Sequence, residues 1–324
     1  MANQFTSVLT TPGIGDNTVK TAYDLILEFQ LRETPMYRRW VDKRPEKQSQ
    51  PGSSVVLNRY DWFDQTAVNL AKVPLNEELD VDSIKLPPTV PVTLTFNEYG
   101  TAVTRTRKLT AFSFADVDMD AALAVSAHMA DTLDELVQDI MVTGTQVFFG
   151  GNATSEATID SADTLATGDI QKAVTKLRTN KVVPWGPAAF FAAGIHPHVV
   201  HDIRRESGSG GWRVPNEYAS GMRDNLWNGE FGEYEGVRYV QNTRTRRTQT
   251  GTGGTQANSV YRTYFHGRQA IAEGVYEEPG VVLGPVVDQL QRFRTVGWLG
   301  LLGWALYRNE ALVQVLTGSS VATI

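Results

Sequence analysis

Three histidines, His196, His198 and His201, lie within six residues of one another. Imidazole is a common zinc ligand, and three protein ligands with an open fourth position are the usual donor set of a zinc hydrolase. If Pro197 begins a helix, His198 and His201 share a face, with Asp202 nearby. The same residues also fit a plain strand-to-helix turn, which is the interpretation we expect. We therefore predict no metal and no cofactor, and keep a metal-dependent hydrolase as the alternative of another class.

Two glycine-rich stretches, residues 207–211 and 251–254, invite comparison with catalytic and nucleotide-binding loops. The first lacks the spacing of a nucleophile elbow, and the second lacks both a third glycine and a preceding apolar strand. Both are typical of plain loops, and Arg244, Arg246 and Arg247 beside the second are expected to be solvated. Because the chain has no cysteine, thiolate metal sites and cysteine nucleophiles are excluded. We predict that the protein is not an enzyme.

Acidic residues are unevenly distributed. The formal net charge of −6 argues against a dedicated nucleic-acid binder, although it still allows a container for DNA, whose lining should not grip the polymer. Residues 113–150 contain seven acids and no lysine or arginine. On a helix, like charges four residues apart each cost about 0.2–0.5 kcal/mol. Our hypothesis is that the mid-helix acids either meet basic side chains of other segments or line the container, while solvent exposure explains them equally well. The acids are Asp131, Asp134 and Glu135, and the basic candidates are Arg38, Arg39, Arg105 and Arg107.

The first 110 residues contain segments that cannot bury themselves. Apolar spacing predicts an amphipathic helix within residues 17–34, followed by an aromatic and basic run at 36–40. Residues 53–110 alternate as extended strands around an acidic, proline-marked loop at 69–88. A lone helix and a ribbon of two or three strands are marginal in water, so we expect both to pack on another surface.

The longest predicted helix covers residues 113–149, where apolar side chains recur every three or four positions. Such a helix is about 50 Å long. From Asp169 onward the pattern becomes α/β. The predicted helices are 169–179, 197–205, 217–225 and a helix or turn at 268–273, and the predicted strands are 188–195, 236–242, 260–265, 281–283, 291–296 and 312–316. No stretch is long and apolar enough to span a bilayer, so we expect no membrane association.

Three stretches resemble the major capsid proteins of tailed bacteriophages, in the branch named after phage N-four. They are residues 228–240 (NGEFGEYEGVRYV), 264–270 (YFHGRQA) and 294–313, which begins RTVGW and ends ALYRNEALV. The order of segments over nearly the whole chain is also similar to the Hong Kong 97-type capsid fold. That order is arm, extended loop, long helix, compact α/β unit and closing β segment.

The resemblance implies an α+β, Hong Kong 97-like fold in five parts. These are an N-terminal arm (1–52), an extended loop (53–112), a spine helix with part of the peripheral domain (113–164), an axial domain (165–284) and a closing β segment of the peripheral domain (285–324). It implies a major capsid subunit of the virion, assembled in the host cytoplasm. Copies would form pentamers and hexamers of an icosahedral shell around double-stranded DNA, bound without sequence specificity. An encapsulin-like compartment shell is the alternative with the same fold.

The same resemblance implies a set of partners. These are other copies of the chain, a portal and decoration proteins, with a separate scaffolding protein or none because no long helical scaffolding segment precedes the arm. Neighbouring copies would cover the arm and ribbon, and aromatic residues are favoured at such interfaces. We therefore predict contacts between subunits at nine residues. They are Tyr37, Arg38, Arg39, Trp40, Arg105, Arg107, Asp131, Asp134 and Glu135.

Overall fold

The computed structural model describes most of the chain. The described residues are 35–44, 52–60, 63, 69, 71–80, 83–113, 117–186, 189–206, 230–250, 258–285, 290 and 292–321. The predicted helices at 17–34 and 217–225 and the glycine-rich stretches at 207–211 and 251–254 lie outside them. Within the described part, no helix is long and apolar enough to cross a membrane.

The described elements confirm a mixed α+β chain. The helices are α1 (Arg107–Phe112), α2 (Val117–Val142), α3 (Thr167–Thr179) and α4 (Pro197–Arg205). The strands are β1 (Asp42–Lys43), β2 (Ser54–Tyr60), β3 (Thr89–Thr95), β4 (Asn97–Thr106), β5 (Val147–Phe149), β6 (Phe191–Ile195), β7 (Glu230–Tyr234), β8 (Val237–Gln241), β9 (Arg247–Thr250), β10 (Asn258–His266), β11 (Ile271–Leu283), β12 (Phe293–Leu306) and β13 (Leu312–Thr317).

A four-stranded sheet of order β1-β11-β12-β4 supports the long helix α2. Apolar residues of α2, such as Leu133 and Val137, share a buried cluster with Trp298 and Leu302 of β12. Gly297 lets β12 approach β4, because a Cβ there would lie 2.8 Å from the Thr101 carbonyl oxygen. The apolar period of the helix and the glycine-rich strand together place α2 on this sheet.

A second sheet has the order β5-β13-β10-β6-β8-β7, and β9 also pairs with β10. Helices α3 and α4 contribute apolar side chains, including Ile170 and Ile203, to a cluster with the central strands. Strand β13 lies in this sheet beside β10, and β5 pairs with β13 in parallel. The closing segment 285–324, of which Leu312–Thr317 lies in this sheet, stays a prediction. The other domain bounds stay a prediction.

Helix α2 is shorter than predicted. It has 26 residues, or about 39 Å, and not the span 113–149. Ser113, after α1, is extended, which separates the two helices. At the other end the Gln314 side chain donates from Nε2 to the carbonyl oxygens of Met141 (2.8 Å) and Gly144 (2.9 Å). The helical spacing of apolar residues continues in the sequence beyond Gly144. These residues nevertheless form strand β5, because they pair with β13.

The ribbon is also smaller than predicted. Among the described residues, only β2 and β3 form it, since β4 joins the four-stranded sheet and the chain from Arg107 is helical. Its base packs on the chain's own body, where Leu94 is buried beside Ala272 and Tyr307. Arg59 also pairs with Glu310 at 3.1 Å. The prediction that the whole ribbon lacks a surface in its own chain is therefore wrong.

Two local predictions in the second half hold only in part. The helix or turn predicted at 268–273 is a turn at 268–269, and residues 271–273 begin the long strand β11. Beside the loop predicted at 251–254, residues Arg247–Thr250 form β9, which pairs with β10. The stretch 228–240 supplies the hairpin β7–β8, and its turn residue Gly236 has a φ of +74°, a conformation that glycine adopts at little cost.

Candidate functional site

Residues 36–44, which we call the arm anchor, cross the buried side of α2. Tyr37 is fully buried in its own chain, and its hydroxyl lies 2.7 Å from the Thr245 Oγ1 atom. Its ring contacts Trp40 and Tyr264 edge-on, with centroids 5.8 and 5.9 Å away. Because interior aromatic pairs of this geometry add to area burial, Tyr37 holds the anchor in place.

Two buried carboxylates bind the anchor. Asp134 of α2 is 1% exposed and accepts from the Arg38 backbone N–H over 3.0 Å, at the start of a short 3-10 turn. Burial raises the pKa of Asp134, which hydrogen bonds from the anchor backbone partly offset. Glu273 of β11 is fully buried and accepts from the Arg38 Nε atom over 2.7 Å. Removing one partner of such a pair would leave a buried charge uncompensated.

The anchor then continues as a strand. Asp42 and Lys43 of β1 pair in parallel with β11, so the anchor becomes part of the four-stranded sheet. Trp40 packs on His266, with ring centroids 4.7 Å apart. His266 is fully buried, and this burial lowers the pKa of its imidazole to about 4. The aromatic contacts therefore surround a neutral histidine at neutral pH.

Two further acids of α2 meet a different segment from the one predicted. Asp131 pairs with Arg244 at 2.7 Å, and Asp139 pairs with Arg246 at 2.5 Å. The Arg246 backbone N–H also donates to Gln138 Oε1 over 2.9 Å. The expectation that Arg244 and Arg246 are merely solvated is therefore wrong. Two arginines two residues apart in one segment, together with a helix elsewhere in the chain that carries acids and no bases, are the sequence signal that could have indicated this pairing.

The predicted contact residues fall into two groups. Tyr37, Arg38, Trp40, Asp131 and Asp134 make the internal contacts described above. The more exposed residues are Arg39, Arg107 and Glu135, with Arg105 half-buried at the end of β4. A contact between subunits stays a prediction for all nine residues. The side chains of the second group are the more accessible ones for such a contact.

The histidines do not converge on one point. His196 caps α4, since its Nδ1 accepts from the His198 backbone N–H over 3.2 Å. His198 Nδ1 lies 2.7 Å from the Tyr261 hydroxyl, while His201 Nδ1 lies 3.4 Å from Asp202 Oδ1. Burial, and then the nearby His198, lower the pKa of His196 to about 4. Each ring thus serves local structure, and among the described residues no group of three His, Cys, Asp or Glu side chains is placed to hold a metal ion.

Solved structures of phage heads share this fold. The capsid of Ralstonia phage GP4 is 14% identical, with a TM-score of 0.75 and coverage of 97% of this chain and 99% of that chain. The Cyanophage Pam1 capsid is 14% identical, with a TM-score of 0.70 and coverage of 96% and 99%. A Mycobacterium phage Che8 chain is 14% identical, with a TM-score of 0.63 and coverage of 93% and 98%. These likenesses confirm the Hong Kong 97-like fold.

A family model described as phage capsid protein matches residues 138–310, more than half of the chain. No curated protein matches the sequence significantly. The chain belongs to the phage capsid protein family. It is a structural protein of the virion, a major capsid subunit that associates with other copies of itself. The N-four branch stays a prediction.

Proposed function

We propose that copies of this chain form the pentamers and hexamers of a closed icosahedral shell that holds double-stranded DNA, with no catalytic activity of their own. Family membership supports a phage head over an encapsulin-like compartment. The net charge of −6 suits a lining that leaves the packaged polymer unbound by sequence. Assembly would take place in the host cytoplasm, with a portal and, where present, separate scaffolding and decoration proteins as partners.

The observation that carries the proposal is the exposed apolar loop between β2 and β3. Its large apolar side chains are 45–75% exposed. Contiguous exposed apolar side chains of this kind are typical of a surface that binds another protein. They are Val73, Leu75, Leu79, Ile84 and Leu86. The base of the ribbon is already packed on the chain itself, so these side chains are available to a neighbouring copy.

Removing this apolar surface tests the proposal. Leu75→Asp with Leu79→Asp should lower the yield of sedimenting shells about tenfold or more, because burying one leucine contributes about 1.5–3 kcal/mol and the contact recurs in every copy. Yield is measured by gradient sedimentation and electron microscopy after expression.

The matched control is Leu75→Met with Leu79→Met, which keeps the apolar area and should assemble like the unmodified chain. Normal shell yield from the aspartate variant would contradict a role for the loop in assembly.

A further inference from the structure

The outer sides of α3 and α4 form one basic surface. Both helices pack their apolar sides on the same face of the second sheet, where Ile170 and Ile203 share a buried cluster with Ile195. The Glu206 carboxylate, directly after α4, accepts from the Thr167 backbone N–H over 2.9 Å, which holds the end of α4 beside the start of α3. The opposite sides of the two helices carry exposed bases, which we call the basic face. They are Lys172, Lys176, Arg178, Arg204 and Arg205.

The two helices have no exposed acid to balance these bases. They contain one carboxylate each, Asp169 and Asp202, and both are buried. Asp169 pairs with Lys172 at 2.9 Å. Among the described residues, no carboxylate forms an ion pair with Lys176 or Arg205. A helix dipole favours bases in the last turn, but it does not explain why both outer sides lack acids along their whole length in a chain with a net charge of −6.

The composition of the basic face favours a polyanion over a protein partner. Interfaces between proteins have a core of aromatic and other apolar side chains. In the described part of the chain, none of the large apolar side chains that are exposed lies on α3 or α4. Their other exposed positions carry polar side chains, such as Gln171, Thr175 and His201. Cationic side chains on a solvated surface of this kind can contact phosphates, which need no apolar contact.

The length of the basic face suits duplex DNA. Helix α3 has 13 residues and is about 20 Å long, so the bases extend over more than half a turn of a duplex. We infer that the basic face turns toward the packaged duplex DNA and contacts its phosphates. Such contacts carry no sequence information, and a few of them per copy leave the binding weak and dependent on salt. This inference rests on the proposed function, because it names the surface of the subunit that faces the DNA.

A single thiol tests which way the basic face turns. The chain has no cysteine, so Lys176→Cys introduces the only thiol. In closed shells, a maleimide on a polymer too large to enter should leave this thiol unlabelled, whereas a small maleimide should label it. Both reagents should label it once the shells are dissociated. Labelling of intact shells by the large reagent would overturn the inference, because the face would then lie outside. Failure of the small reagent to label intact shells would place the thiol in a contact between copies and would also overturn it.

Binding of duplex DNA by the dissociated chain tests the phosphate contacts. Fluorescence anisotropy of a labelled duplex measures the binding constant as the salt concentration rises. Lys176→Gln with Arg205→Gln should reduce the slope of log K against log salt by about 2, because each lost phosphate contact accounts for about 0.9. Two duplexes of unrelated sequence should lose the same affinity.

The matched control for DNA binding is Lys108→Gln with Arg268→Gln. It makes an equal change of charge at two exposed positions outside both helices and should keep the slope of the unmodified chain. An unchanged slope in the variant of the basic face, or an equal reduction in the control, would overturn the inference.

The outcomes separate this inference from the proposed function. Absence of closed shells from the unmodified chain would contradict the proposed function. Closed shells in which the Lys176→Cys thiol reacts with the large reagent would leave the proposed function intact and contradict only the inference. The same holds if the unmodified chain forms closed shells but its dissociated form binds no duplex DNA.

Discussion

At the scale of single residues, the arm anchor depends on polar groups that are buried with specific partners. Glu273 and Asp134 would be costly in an apolar interior without the Arg38 guanidinium and backbone N–H that they accept from. His266 differs from them because its neighbours Trp40 and Trp185 are aromatic. Its neutral form fits this environment, and a charged imidazolium would have to give up its hydration.

The two buried histidines contribute to the pH dependence of stability. An unfolded chain binds a proton at His266 with a pKa near 6.5, whereas the folded chain does so near 4. Between these values the unfolded state binds more protons, so the stabilisation present above pH 6.5 is lost as the pH falls toward 4. His196, with its pKa lowered to about 4, adds to the same loss.

Replacing His266 should therefore weaken this dependence. His266→Phe keeps an aromatic ring in the site and cannot gain a proton, so its melting temperature should fall less between pH 7 and pH 5 than that of the unmodified chain. Differential scanning calorimetry measures the fall. His201→Gln, at a half-exposed side chain, is the control and should behave like the unmodified chain. An unchanged pH dependence in His266→Phe would show that burial of this ring does not set it.

At the scale of elements, the end of α2 is fixed by a residue far away in sequence. Gln314 is fully buried in β13 and donates hydrogen bonds to the carbonyl oxygens of Met141 and Val142, the last two residues of the helix. A helix leaves its last four carbonyl oxygens without internal partners, so this amide acts as a cap. It joins the spine helix to the second sheet.

Removing the cap should destabilise that junction. Gln314→Met preserves side-chain length but offers no donor, and leaving buried carbonyl groups unpaired costs about 1–3 kcal/mol. We expect a lower urea midpoint with an unchanged slope, followed by tryptophan fluorescence. Thr143→Val is the control for loss of a hydrogen bond at the same helix end, because Thr143 Oγ1 donates to the Ile140 carbonyl oxygen at an exposed position where water can replace it. A midpoint for Gln314→Met no lower than that of the control would contradict the capping role.

Local sequence patterns predicted the helices and strands whose ends are not set by contacts with distant parts of the chain. The helices α3 and α4 and the strands β6, β8, β10 and β13 lie where apolar periods and turn residues indicated them. The end of α2 could not be predicted in this way, because Gln314 and the pairing of β5 come from 170 residues later. The apolar spacing from 143 to 149 fits a helix and a buried strand equally well.

The candidate site was predicted only in part. The aromatic run at 36–40 and the acids of α2 were identified from their types and spacing. Their actual partners, Glu273, Arg244 and Arg246, depend on which strands and loops meet, and no local pattern contains that information. The buried Glu273 in particular looks like an ordinary strand carboxylate in the sequence.

At the scale of the whole molecule, one chain is well packed at its two sheets and poorly covered at its edges. The anchor and the ribbon base are held by the chain's own body, so in the described part of the chain the uncovered surfaces are smaller than the sequence suggested. The exposed apolar loop between β2 and β3 is such a surface. Repetition of a modest contact over many copies suffices to make a stable shell.

Electron microscopy of the purified, unmodified protein at high concentration tests this account most directly. We predict closed shells built from rings of five and six copies, with residues 71–86 protected from protease in the shells. A compact solitary chain at the same concentration, with that loop already resistant to protease, would contradict the account.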